Sequence, residues 1–237
     1  MGPALAGLAL ALSHLAAAHL TFLERLPRSV WLSAAGGISV AYVFVHLLPE
    51  LAHEQAELEE AAGGAVPFLE QHAYLVALAG LAVFYGVELA TRGSLARPSA
   101  ASSDAVTFWL ATGSFAVKNA IIGYLLVHRL DDDALALVLF TVAMALHFVV
   151  NDVGLRERHG TRYARVGRFV LAAAPLAGVA LGFLVEISDP AIAALLAFLA
   201  GGVILNVLKE ELPSERESRF SAFAAGAAAY SLLLLAL

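Results

Sequence analysis

The chain has 237 residues, 60% of them hydrophobic and 14% charged, and its mean hydropathy is +0.81. That is far more apolar than an ordinary soluble domain, so a bilayer is the natural solvent and no stretch is long and polar enough to fold as a separate soluble unit. With no cysteine, disulfide frameworks, thiolate metal sites and cysteine nucleophiles are excluded, and the formal charge of -6 comes without any basic patch suited to nucleic acid.

A spanning helix needs about 20 mainly apolar residues. Cutting the hydrophobic runs at charges, prolines and glycines predicts eight spans, near residues 3–23, 30–51, 72–91, 105–128, 134–155, 169–187, 191–208 and 220–237. The expected fold is all-α, a polytopic membrane helix bundle forming a single transmembrane domain over residues 1–237. The apolar N-terminus lacks the basic flank of a signal peptide and reads as a retained first span.

In chain order, span 1 carries His14 and His19. Span 2 ends in His46 and Glu50, one helical turn apart, with Pro49 between them expected to end or kink the helix. The run His53, Glu54, Glu57, Glu59 and Glu60 follows, either gathering cations outside the membrane or simply solvated. Span 3 carries Glu88. Span 4 carries Lys118, the one basic residue near a membrane midplane, with Asn119 beside it. Span 5 carries His147 and Asn151 one turn apart, then Asp152. Span 7 joins Gly201 and Gly202 to Asn206, Lys209, Glu210, Glu211 and Pro213. There the glycines suit close packing and Lys209 suits a helix C-terminus, with an inner oxygen-ligand site near His159 as the alternative. Gly36, Gly37 and Gly226 point to tight helix packing and to a homodimer.

The loops set the expected orientation. Twelve of the fourteen lysines and arginines fall in odd-numbered loops: Arg25, Arg28, Arg92, Arg97, Arg156, Arg158, Arg162, Arg165, Arg168, Lys209, Arg216 and Arg219. The even loops carry acid, including Asp131, Asp132, Asp133 and Asp189. By the positive-inside rule the odd loops are cytoplasmic and both termini are outside. Low Lys with abundant Arg and Ala reads as a prokaryotic cell membrane protein.

An ionisable side chain deep in a span costs roughly 2.5–3.5 kcal/mol on insertion scales, so these residues form the functional shortlist. Nitrogen and oxygen donors one turn apart can chelate a divalent cation. The alternatives are a snorkelling pair for His46 and Glu50 and an interhelical hydrogen bond for His147 and Asn151. Lys118 needs a carboxylate, an amide or backbone carbonyls as partner. It reads either as a lock to Asp152, Glu88 or another helix, or as a tethered cation in a metal's place, or as a proton carrier.

Three segments resemble the ZIP (Zrt/Irt-like) metal transporter family. His46, Leu47, Leu48, Pro49 and Glu50 are similar to an HLLPE segment common there. Lys118, Asn119 and Gly123 stand over the span 4 motif HNxxD/E followed by Gly, and His147, Asn151 and Asp152 over the span 5 motif HExxH followed by Glu. The resemblance implies eight spans, both ends outside, and a metal site built by spans 4 and 5. Asn119, Gly123 and His147 are retained, and Asn151 and Asp152 are polar replacements. Lys118 stands where the first His belongs, Ile122 where the acid belongs, and Phe148 where the span 5 Glu belongs. A charged ammonium has no lone pair for a metal. At 4 Å and an effective dielectric near 20 it repels a divalent ion by roughly 8 kcal/mol.

The expected function is a divergent ZIP-like transporter of divalent metal cations of the zinc, iron or manganese class. His147, Asn151, Asp152 and Asn119 would bind the ion, His46 and Glu50 would line the outer mouth, and Lys118 would gate. The partners are then the lipid bilayer and a transported metal, with no tightly bound cofactor. The alternative is a ZIP-like scaffold or sensor that does not transport, with Lys118 substituting for the ion. An intramembrane enzyme is not expected, since neither HExxH nor a nucleophile paired with His is present.

Overall fold

Apolar runs leave backbone amides no partner but each other in lipid, so helix is the expected outcome. The computed structural model describes residues 2–17, 28–61, 72–95, 101–128, 134–211 and 219–236. Among them every regular element is helical: α1 Gly2–Ala17, α2 Arg28–Tyr42, α3 Leu48–Ala61, α4 Ala73–Leu95, α5 Ala101–His128, α6 Ala134–Arg162, α7 Arg168–Leu184, α8 Asp189–Asn206 and α9 Phe220–Leu235. Five described segments are long and apolar enough to cross a membrane: Ser33–His53, Ala73–Thr91, Ala105–His128, Ala134–Leu184 and Asp189–Lys209. Gly2–Ala17 and Phe220–Leu235 are shorter apolar helices. The expectations placed on His19, Arg25, Arg97, Asp131, Asp132, Asp133, Pro213 and Arg216 fall outside the described residues. So do the side chains of Arg28, Glu54, Glu57, Glu59, Glu60, Arg92, Glu210 and Glu211.

Two expectations change. Pro49 does not end its helix: α2 runs through a π-helical turn, Val43–Leu47, straight into α3. Proline lacks the N–H and its ring crowds the carbonyl one turn back, and a wider turn just before it relieves both. The acidic run after Glu50 is therefore helical rather than a loop. Similarly, the predicted loop over 156–168 is almost all helix. Its reversal is concentrated at Gly160, whose φ of 43° and ψ of -115° break α6 within the 51-residue segment Ala134–Leu184; glycine has no Cβ to oppose that conformation.

The helices pair through glycine. On α5 and α7, a Cβ added at Gly123 would strike the Pro175 carbonyl, and one at Gly178 the Ala120 carbonyl. The same reciprocal contact joins α4 to α8 through Gly80 and Gly201, and α2 to α9 through Gly37 and Gly226. Close backbone approach of this kind replaces the hydrophobic drive that lipid removes. Gly37 and Gly226, two of the residues behind the homodimer expectation, make this contact within one chain.

The contacts also fix direction. Ala120 meets Gly178 while the Tyr124 hydroxyl donates to the Val185 carbonyl at 3.0 Å, so α5 and α7 run parallel. Gly80 at Phe198 and Glu88 at Lys209 make α4 and α8 parallel. Gly2 at Leu137 and His14 at Asp152 do so for α1 and α6, and Ser33 at Arg219 with Gly37 at Phe223 for α2 and α9. The outside of the bundle is apolar, with Leu5, Leu12, Leu78, Val83 and Val138 exposed, while Lys118, Asn119, Asn151 and Asp152 are buried. This inversion is what a lipid-facing surface requires.

Candidate functional site

The buried polar side chains of α1, α5, α6 and α8 meet in one layer. At its centre His14 bridges two other helices: its Nδ1 lies 2.7 Å from Asp152 Oδ2, and Asn119 Nδ2 lies 2.8 Å from its Nε2. An amide nitrogen only donates, so Nε2 accepts and Nδ1 carries the proton given to the carboxylate. The two side chains of the His14–Asp152 pair are 2% and 0% exposed, which places the interaction away from screening solvent. Phe148 stacks on the His14 ring with centroids 4.6 Å apart and planes at 19°, holding it edge-on to both partners. Thus Phe148, which stands at an acid's position in the ZIP motif, here orients a histidine from another helix.

The rest of the layer is arranged around this chain. Asn206 of α8 donates its amide to Asn151 Oδ1. His147 is buried one turn before Asn151, its ring 6.3 Å from that of Phe148. Asp152 Oδ1 and the Tyr163 hydroxyl are both buried, and the two side chains pair with each other outside ideal hydrogen-bond geometry. A buried carboxylate oxygen so loosely held is costly, and it is a position in the layer suited to a cation or a proton.

Lys118, 5% exposed, lies on the other side of α5. Its Nζ sits 4.1 Å from the Phe115 ring centroid and 5.0 Å from that of Phe84. These aromatic faces offset part of the lost hydration of the ammonium. It lines a cavity with Glu88, Ser114, Arg158 and Asn206. Of the carboxylates foreseen as its locks, Glu88 lines the same cavity and also accepts from Lys209 at 2.6 Å, while Asp152 is engaged by His14. Lys209, expected to cap its own helix, thereby ties α8 to α4, with its Nζ 4.9 Å from the Tyr85 ring centroid.

His46 and Glu50 form a separate group. The His46 ring packs against Tyr42 at 5.3 Å, and Leu51 clusters with Ala73 and Ala77 at the start of α4. Phe84, which Lys118 reaches, is seven residues beyond Ala77, about 10 Å along the helix. The predicted site residues thus fall into three groups: Asn119 with Asp152, Asn151 with His147 on the same face of α6, and His46 with Glu50 far along the bundle.

Sequence reasoning singled out His14 as an intramembrane histidine but gave it no part in the site, although a lone imidazole in so apolar a helix was the available signal. Asn206 was assigned to the end of its own span. Tyr163 and the two phenylalanines around Lys118 carried no signal, because aromatic residues are ordinary in a bundle core. Among the described residues no group of three or more His, Cys, Asp or Glu side chains is placed to hold a metal ion. No protein-family model matches the chain, and a search of curated proteins gives no match.

Proposed function

We propose that the chain is a ZIP-like membrane transporter of cations, with eight spans, both termini outside, and a divalent metal or proton-coupled cation crossing at the layer built by α1, α5 and α6. The observation that carries this reading is Asp152 Oδ1, a buried carboxylate oxygen held only loosely, beside the Tyr163 hydroxyl, at the junction of three helices. Transporters need polar groups on facing helices near the middle of the bundle, and this layer supplies them. His147 and Asn151 approach from the same helix, and Asn119 holds His14 in place. His46 and Glu50 lie far enough along the bundle to serve at an entrance. The eight-span topology draws support from the parallel pairs: α1 with α6 and α4 with α8 join odd-numbered spans, while α2 with α9 and α5 with α7 join even ones. With alternating spans, only odd–odd and even–even neighbours can run parallel. The basic odd-numbered loops then orient the bundle in a cell membrane.

The second reading, a ZIP-like scaffold or sensor that does not transport, is favoured by a different observation. Lys118 occupies a metal ligand's position in the resemblance, and His14 already engages Asp152 Oδ2. Uptake of zinc, manganese, cobalt and iron(II) into proteoliposomes separates the two readings. Native uptake that is lost in His147→Ala supports transport. No native uptake, but uptake gained by Lys118→His, supports the scaffold.

A further inference from the structure

The reversal between α6 and α7 is strongly basic. Residues 156–168 hold five arginines and a single acid, Glu157. Glu88 and Asn206 line a cavity with Arg158, so the stretches that begin there, 88–104 and 206–219, start at the same end of the bundle. They add five basic residues and six acids. With all of these counted, ten basic residues stand against seven acids, and the sign of the charge does not depend on which side chains pair. A helix rising about 1.5 Å per residue crosses a hydrocarbon core of about 30 Å in about 20 residues. Starting from Ala134, α6 has done so just before Arg156, and α7 turns back as an apolar run after Arg168. The arginines between them therefore stand at the level of lipid headgroups.

Arg162, Arg165, Val166 and Phe169 follow one another at spacings of three and four residues, which places them on one face of the helix. All four are exposed, Val166 by 40% and Phe169 by 50%. The Arg162 guanidinium lies 5.7 Å from the centroid of the Phe108 ring, beside which Trp109 is 52% exposed. Two cations thus precede two apolar side chains in the direction in which the chain enters the membrane. We infer that this face binds an anionic phospholipid, with Arg162 and Arg165 on the headgroup phosphate and Val166 and Phe169 against the upper part of an acyl chain. The forked donors of a guanidinium match phosphate oxygens, and an exposed tryptophan at this level suits the membrane interface. A soluble phosphate would satisfy the arginines and leave Val166 and Phe169 in water, whereas a lipid covers both. The site lies on the outside of the bundle and does not depend on whether a cation crosses its interior.

The test is native mass spectrometry of the full-length protein in detergent with equal amounts of dioleoyl phosphatidylglycerol and dioleoyl phosphatidylcholine, which share acyl chains and differ in headgroup charge. Phosphatidylglycerol is retained in preference. A basic side chain near an anionic membrane surface contributes about fivefold, so Arg162→Gln combined with Arg165→Gln lowers that preference by at least about tenfold. Both positions are exposed, and the unfolding midpoint stays unchanged. Lys209→Gln combined with Arg219→Gln removes as many positive charges elsewhere and leaves the preference in place. Val166→Ser combined with Phe169→Ser weakens phosphatidylglycerol, and sn-glycerol 3-phosphate, which carries the phosphate without acyl chains, does not displace it. Equal retention of the two lipids by the native protein overturns the inference. So does an equal loss in the Lys209 and Arg219 variant, or displacement of the lipid by glycerol phosphate, which would assign the arginines to a soluble ligand.

Discussion

Lys118 and Asn119 are adjacent in sequence and face different surroundings. Successive residues on an α-helix are rotated by about 100°, so α5 turns Lys118 toward Phe84 on α4 and Asn119 toward His14 on α1. On one side is a hydrogen-bonded chain, Asn119–His14–Asp152, ending at the buried carboxylate beside Tyr163; on the other is a cavity lined by Lys118, Glu88 and Arg158. The resemblance to ZIP motifs aligns both residues with a single metal site. The geometry gives them separate surroundings, with Lys118 in a cavity across α5 from the Asn119–His14–Asp152 chain.

The comparison breaks most severely at His14. Removing the imidazole in His14→Ala leaves Asp152 buried without its partner, with a loss of about 3–5 kcal/mol expected from unfolding midpoints in detergent. The double variant His14→Ala with Asp152→Ala should recover part of that loss, because no charge is then stranded; a double variant as damaged as the sum of the two singles would argue against the pair. Next in size is the glycine seam that sets α5 against α7. Gly178→Leu drives a side chain into the Ala120 carbonyl and should cost about 1–3 kcal/mol or abolish folding, whereas Gly113→Ala meets nothing within 4 Å and should be neutral or slightly stabilising. Equal effects in these two variants would remove the seam from the account.

Asn206→Leu strands the Asn151 amide oxygen and should cost about 1–3 kcal/mol, read in the same unfolding assay. The smallest effect is expected on the cavity side. The side chains of Lys209 and Glu88 are 25% and 17% exposed, and Lys209→Met should cost no more than about 1 kcal/mol. That cost should shrink as salt is raised. A large, salt-independent loss would show that the cavity is as closed to solvent as the His14 side.

Much of the helical arrangement was legible in sequence, because lipid leaves few options and the apolar runs are long. The helices α4 and α9 begin at Ala73 and Phe220, where the apolar runs in the sequence begin. Turns were harder to read. Pro49 carries a standard helix-breaking signal, yet the π-helical turn before it absorbs the conflict, and the charged stretch after Leu155 reads as a loop although only Gly160 departs from helix. The site was half legible. Ionisable residues in apolar runs identify themselves by their cost, which is how Lys118, His147 and Asp152 were found. Which of them meet depends on the rotation and pairing of helices far apart in sequence, such as the 138-residue separation between His14 and Asp152. No local pattern encodes that.

The most direct measurement is metal uptake into proteoliposomes by Asp152→Asn and Glu88→Gln side by side, each confirmed folded by its unfolding midpoint. With the cation crossing on the His14 side of α5, uptake is lost in Asp152→Asn and retained in Glu88→Gln. Uptake that survives in Asp152→Asn, or that fails only in Glu88→Gln, would contradict the account.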